Sequence, residues 1–136
     1  AVAKAIAQNA SDIATLKSSV NDTAVYTLPT SAYNSDVVTA TNANTTIQSY
    51  GKIRIIEGGG MPFKAVGNKQ NVTILTLPSG YRPKYKTELI AMCTGGTAGA
   101  GVLRCWVETS GIVRVWTGDT QCGGYVFISG TYIAAD

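Results

Sequence analysis

The chain has 136 residues, 45% of them apolar and only 14% charged, with a formal net charge of +3. That length supports one core-bearing domain with an appendage, and the low charge with 15 glycines points to strands and turns instead of a helical enzyme. No histidine is present, which excludes Ser/His/Asp and Cys/His triads and removes the commonest general base and zinc ligand.

The charge is uneven. Residues 1–50 hold two Lys and three Asp, whereas residues 51–136 hold nine Lys/Arg and five Asp/Glu. The excess in the second part is too mild for nucleic acid, which calls for a dense basic stripe, and suits a mildly anionic ligand. No apolar run is long enough for a membrane span, so no membrane insertion is expected. The first residues, "AVAKAIAQNASD", lack a signal-peptide apolar region, and the chain reads as a fragment whose upstream part is missing. Cys93, Cys105 and Cys122 fit no C-x-x-C site, and an odd number argues against a disulfide framework. They read as small buried hydrophobes of a reducing cytosol, and neither metal nor cofactor is expected.

Residues 1–22 carry Val2, Ile6, Asn9, Ile13, Leu16 and Val20, spaced alternately four and three apart. This heptad spacing predicts a short α-helix that forms a trimeric coiled coil, with Ile6, Ile13 and Val20 at a and Val2, Asn9 and Leu16 at d. The competing reading is an ordinary helix lying on its own domain. Asn9 favours the coil, because a polar residue at a core position fixes register and oligomer state. "IAQN" resembles the I-x-x-N layer of trimeric phage fibres and trimeric autotransporter adhesins. That resemblance implies Asn9 amides around a bound anion on the trimer axis.

From residue 23 to 50 the periodicity stops, Pro29 interrupts, and no basic residue occurs. This segment reads as a linker or neck in which "AVYTL" and "DVVTA" form short strands and 40–49 is a surface loop. Residues 51–136 read as an all-β head, an antiparallel sandwich or barrel. Its strand candidates are "KIRIIE", "PFKAV", "NVTILTL", "KTELIAMC", "VLRCWVE", "IVRVWT", "YVFIS" and "GTYIA", with Gly58–Gly60 as a turn between the first two. "GGTAGAG", 95–101, lacks the Gly-Lys-Ser/Thr ending of a phosphate loop and reads as an inter-strand loop.

Both tryptophans lie in one hairpin, "RCWVETSGIVRVW". A three-residue loop 109–111, with Gly111 supplying positive φ, sets Trp106 opposite Arg114 and Arg104 opposite Trp116. One face is then Leu103, Cys105, Val107, Val113 and Val115, a core face. The other is Arg104, Trp106, Glu108, Ile112, Arg114 and Trp116. Three readings of that second face are open. Arg covers Trp by cation–π contact; or the face is buried against another subunit; or the indoles are platforms for sugar rings. In the last case Arg104, Arg114, Glu108, and Asp119 and Gln121 of the next loop, fix hydroxyls or phosphate.

"LTLPSGYRP", 75–83, resembles the "LPxGYRP" element in C-terminal modules of tail fibre and baseplate proteins from phages and prophages of Gram-positive bacteria. The following hairpin and the terminal "YVFISGTYIAAD" match that module's plan over residues 71–136. The resemblance implies a receptor-binding head on a trimeric stalk, assembled in the host cytoplasm and carried at the virion's tail tip. It implies as partners a host cell-wall saccharide or teichoic acid, and other tail or baseplate proteins through an upstream part. No binding residue transfers by motif, and "LPSGYRP" itself reads as structural, with Arg82 free to reach a ligand. A structural trimerising tip and a bacterial adhesin remain alternatives. An enzyme would need two positioned carboxylates, and no motif supplies them.

Overall fold

A computed structural model of the chain describes residues 1–21, 23–94, 101–119 and 122–135. Helix α1 is Val2–Asn21. Eight strands follow: β1 Thr23–Thr27, β2 Thr45–Tyr50, β3 Ile53–Pro62, β4 Asn71–Thr76, β5 Thr87–Thr94, β6 Gly101–Val107, β7 Ile112–Trp116 and β8 Tyr125–Ile133. They form one antiparallel sheet in the order β1-β2-β3-β8-β5-β6-β7-β4.

The period-2 alternation of these strands puts one row of side chains inside the curl of the sheet. Leu89, Ala91 and Cys93 of β5, Val126 and Ile128 of β8, and Val113 and Val115 of β7 all point into a single core. Each large side chain buried there contributes about 1.5–3 kcal/mol. The sheet curls until its ends nearly meet. Tyr33, beyond β1, bridges Leu75 on the outer edge of β4. Asn34 donates its backbone N–H to Ile74 O at 2.9 Å and its side-chain amide to Thr73 O at 2.8 Å. The otherwise unpaired β4 edge is therefore covered. The expected all-β architecture, sandwich or barrel, takes the form of this closed-up single sheet.

Residues 23–50 are built into the sheet, whereas the sequence suggested a connector. β1 pairs with β2 and β2 with β3. Leu28, Tyr33, Val37, Val38 and Ile47 are all buried in the core. "DVVTA" is not a strand: Val38 forms only an isolated bridge with Phe63. Three further strand expectations change. β3 runs straight through Gly58–Gly60, absorbing the glycines in a bulge between Gly58 and Met61. "PFKAV" makes only isolated bridges, at Phe63 and Val66. "YVFIS" and "GTYIA" merge into the single strand β8. Of the glycine-rich loop, residues 95–100 lie outside the described residues, and Gly101 opens β6.

The cysteine expectation is corrected in part. Cys93 and Cys122 form a disulfide across a sequence separation of 29, and Cys105 alone is free and buried. β5–β8 pairing sets Cys93 opposite Val126, which draws the chain just before β8 alongside the end of β5.

"LPSGYRP" is structural, as read. Gly80 takes φ +87° in the turn, and the Tyr81 ring stacks on Tyr26 with centroids 4.4 Å apart. Tyr132 donates its hydroxyl to Tyr81 O at 2.6 Å, and burial pushes the pKa of that hydroxyl up. The buried Arg54 guanidinium donates to Gly51 O at 2.6 Å and Gly80 O at 3.3 Å, tying the β2–β3 turn to this one. Arg82, though exposed, donates from Nε to Leu77 O at 3.2 Å.

Helix α1 does not lie on the sheet. Its side chains from residue 1 to 18 are all exposed, including Val2 at 73%, Ile6 at 64%, Ile13 at 54% and Leu16 at 64%. A stripe this bare does not stabilise an isolated helix of this length. The reading of a helix packed on its own domain is therefore removed. No helix of the described residues is long and apolar enough to cross a membrane.

Candidate functional site

The β6–β7 hairpin has the register read from its turn. Arg104 faces Trp116, Cys105 faces Val115, Trp106 faces Arg114 and Val107 faces Val113. The turn is closed by Glu108 N–H to Ile112 O at 2.9 Å and Gly111 N–H to Glu108 O at 2.8 Å, with Gly111 at φ +91°. Leu103, Cys105, Val107, Val113 and Val115 form the inner face, each no more than 2% exposed. Burial pushes the Cys105 thiol up to about 12, which leaves it an unreactive packing group at neutral pH.

The outer face separates the two indoles. Trp106 is only 6% exposed and Trp116 is 40% exposed. Two cations lie over the Trp106 ring: Arg104 Cζ lies 4.9 Å and Lys86 Nζ 5.2 Å from its centroid. Its indole N–H reaches Glu108 Oε1 at 3.4 Å. Trp106 is thus not an open platform, and the expectation that it offers one is corrected. The covering Arg is Arg104, two residues away on its own strand, not the cross-strand partner Arg114. Arg114 instead pairs with Glu108, Nε to Oε1 at 3.1 Å, close enough for charge pairing but outside hydrogen-bond alignment.

Trp116 stands differently. In register it lies between Arg104 on β6 and Asn71 on β4, and its indole edge approaches Gly118 of the following turn. Arg104 is held bidentately by Glu88, Nη2 to Oε1 at 2.8 Å and Nε to Oε2 at 3.4 Å. The hydrogen bond from Arg104 holds the Glu88 carboxyl below its ordinary value, against the opposing effect of burial. The same bond raises Arg104. On the other side, Lys69 Nζ and Asp119 Oδ1 are 4.0 Å apart, both exposed. Thr117, buried beneath, accepts the Gln70 N–H at 2.9 Å and donates to Gly67 O at 3.0 Å, fixing this loop against β7.

The accessible constellation is therefore Trp116 with Arg104, Glu88, Asn71, Lys69 and Asp119. Gln121 lies outside the described residues, and Asn9 is exposed on α1, far along the chain from the hairpin. Glu88, Asn71 and Lys69 were not singled out from sequence. Glu88 and Asn71 reach the site through β5–β6 and β4–β7 pairing, and Lys69 through its N–H bond to Gly118 O, for none of which the hairpin carries a local signal. Among the described residues, no group of three His, Cys, Asp or Glu side chains is arranged to hold a metal ion. The chemistry available is an exposed apolar ring plane beside fixed charged donors and acceptors.

In class, this is a curled antiparallel β head carried after an N-terminal helix, with a mixed aromatic and charged outer hairpin. No protein-family model matches the chain, and neither does any curated protein. A solved structure with the same fold is the head domain of phage bIL170, from work on the receptor-binding domains of lactococcal phages. The similarity covers 82% of this chain and 99% of that one, at a TM-score of 0.60 and 12% sequence identity.

Proposed function

We propose that this chain is the receptor-binding head of a phage tail protein and that it binds a host cell-surface saccharide without cleaving it. The observation that carries the reading is the open Trp116 ring, flanked by the Arg104–Glu88 and Lys69–Asp119 pairs, on a fold shared with a phage head domain. An indole of this kind takes the C–H face of a sugar ring, and the charged pairs take hydroxyls or phosphate. The resemblance of "LPSGYRP" adds the finer expectation of a Gram-positive host and a cell-wall polysaccharide or teichoic acid ligand. It also supports a position at the virion's tail tip, with other tail or baseplate proteins as partners and assembly in the host cytoplasm.

The non-catalytic part rests on the carboxylates. A glycosidase acid needs its pKa raised. Glu88 is moved the other way by Arg104, and Glu108 is engaged by Arg114. The homotrimer rests on α1, whose heptad side chains from Val2 to Leu16 are bare, and on Asn9 at a d position, where a trimer would gather three amides around an anion.

The test is binding of the chain to purified cell walls of Gram-positive strains. Trp116→Ala is expected to weaken binding about fivefold or more with the fold intact, since stacking on one ring is worth about 1–3 kcal/mol. Parent-like binding by Trp116→Ala places the site elsewhere. No binding by the parent to any wall favours a trimerising tip without a saccharide site.

A further inference from the structure

The outer face of the sheet is unevenly polar. Charges gather on the hairpin side, at Glu88, Arg104, Glu108 and Arg114. The outward residues of β8 are Tyr125, Phe127, Ser129, Thr131 and Ile133, with no charge along the strand. Phe127, Met92 and Val102 lie in one row across β8, β5 and β6 and are 43%, 46% and 75% exposed. Ile90, one step along β5, is 69% exposed. This cluster alone is no larger than apolar patches found on monomers. Its continuity singles it out. At the other end of β8, about 20 Å from Phe127, Ile133 pairs with Ile53, Ile53 with Tyr50 and Tyr50 with Thr23. Ile133 and Ile53 are 54% and 47% exposed. Thr23 begins β1 just beyond the end of α1. A ribbon uncharged along β8 thus runs from the helix junction to the far end of the head, with the exposed Lys84 beside Ile133 at its junction end. Glu57 on one side and the Glu88–Arg104 pair on the other form a polar rim.

We propose that this ribbon is the head's contact with further copies of the same chain. The proposal rests on the association of α1 proposed above. Helices joined along their bare stripe bring the junction rows of neighbouring heads together, and the ribbon continues from that row. On a rotation axis each side chain faces its own copy, so a charged strip would repel itself. The outer side of β8 carries none. Charged Trp116 surroundings then remain on the outside of the assembly, where a receptor reaches them.

Methionine oxidation reads this face directly, since susceptibility follows exposure. The chain has two methionines: Met92 within the ribbon, and Met61 at 0% exposure as an internal reference. The intact chain is weighed by light scattering and treated with dilute peroxide, and each methionine is followed by mass spectrometry. A trimeric parent is expected to oxidise Met92 within about threefold of Met61. Phe127→Glu, on the exposed face, is expected to raise the Met92 rate roughly tenfold with unchanged circular dichroism. Ile90→Glu serves if Phe127→Glu fails to fold. A trimeric parent with Met92 oxidised roughly tenfold faster than Met61 overturns the ribbon contact while leaving α1 association standing. That face would then be free for a different partner. A monomeric parent sinks both.

Discussion

Replacing Gly111 by Ala tests the hairpin on which the candidate site depends. Gly111 sits at φ +91°, where any Cβ is strained. The left-handed conformation costs an L-residue about 1–2 kcal/mol. The added Cβ would also fall 2.6 Å from Leu77 O and 3.1 Å from Arg82 Cγ. Leu77 O already accepts from Arg82 Nε, and Leu77 N–H donates to Gly111 O at 2.8 Å. Moving that carbonyl disturbs both bonds, at about 1–3 kcal/mol. The expected loss is about 2–5 kcal/mol, a fall in Tm on the order of 10 °C. Gly80 supplies the control. Its φ is +87°, yet a Cβ there meets nothing within 4 Å. Gly80→Ala should therefore lose only the conformational part, about 1–2 kcal/mol. The assay is urea unfolding followed by circular dichroism, with all three proteins at one concentration because association shifts apparent stability. Equal losses for the two variants would refute the steric argument around Leu77. A neutral Gly111→Ala would refute the three-residue turn itself.

Thiol counting checks the cysteines. The native chain should react with no thiol reagent at neutral pH. The denatured chain should show one thiol, and the denatured and reduced chain all three of its cysteines. Three reactive thiols without reductant would exclude the Cys93–Cys122 bond. A pH titration checks the Arg104 clamp. The folded Glu88 value is depressed, so its pairing with Arg104 is present above the ordinary glutamate range and is lost as pH falls through the lowered value. In a Trp116→Phe background, the emission of Trp106, covered by Arg104, should change with a midpoint below that range. Glu88→Gln should abolish the transition; persistence of the same midpoint in that variant would assign it to another group.

Much of the fold was legible in local patterns. The four-and-three spacing marked α1, and period-2 alternation marked β4 to β7. The hairpin's register followed from one glycine, because a turn with one left-handed residue leaves a single way to pair the strands that keeps Val113 and Val115 inward. Alternation failed where its rules are broken locally. β3 passes through three glycines by a bulge, and β8 passes through Gly130 without a turn, because both strands are paired on each side and the ladders hold them extended. Residues 23–50, weak in pattern, earn their place by closing the sheet over β4.

The candidate site divides in the same way. The sequence by itself determined the cross-strand pairing of indoles and guanidiniums and the separation of a core face from an outer face. These depend on backbone periodicity and on residues a few positions apart. Only the tertiary structure decided that Trp106 is closed and Trp116 open. That outcome depends on Lys86 beside β5, on Glu88 drawing Arg104 into place, and on β4 beyond β7. The disulfide is of the same kind, since it joins the end of β5 to the segment before β8, which become neighbours only through β5–β8 pairing. The sheet order β1-β2-β3-β8-β5-β6-β7-β4 sets these neighbours. It comes from the joint burial of all the inner faces around one core, a property of the whole chain that no short stretch encodes.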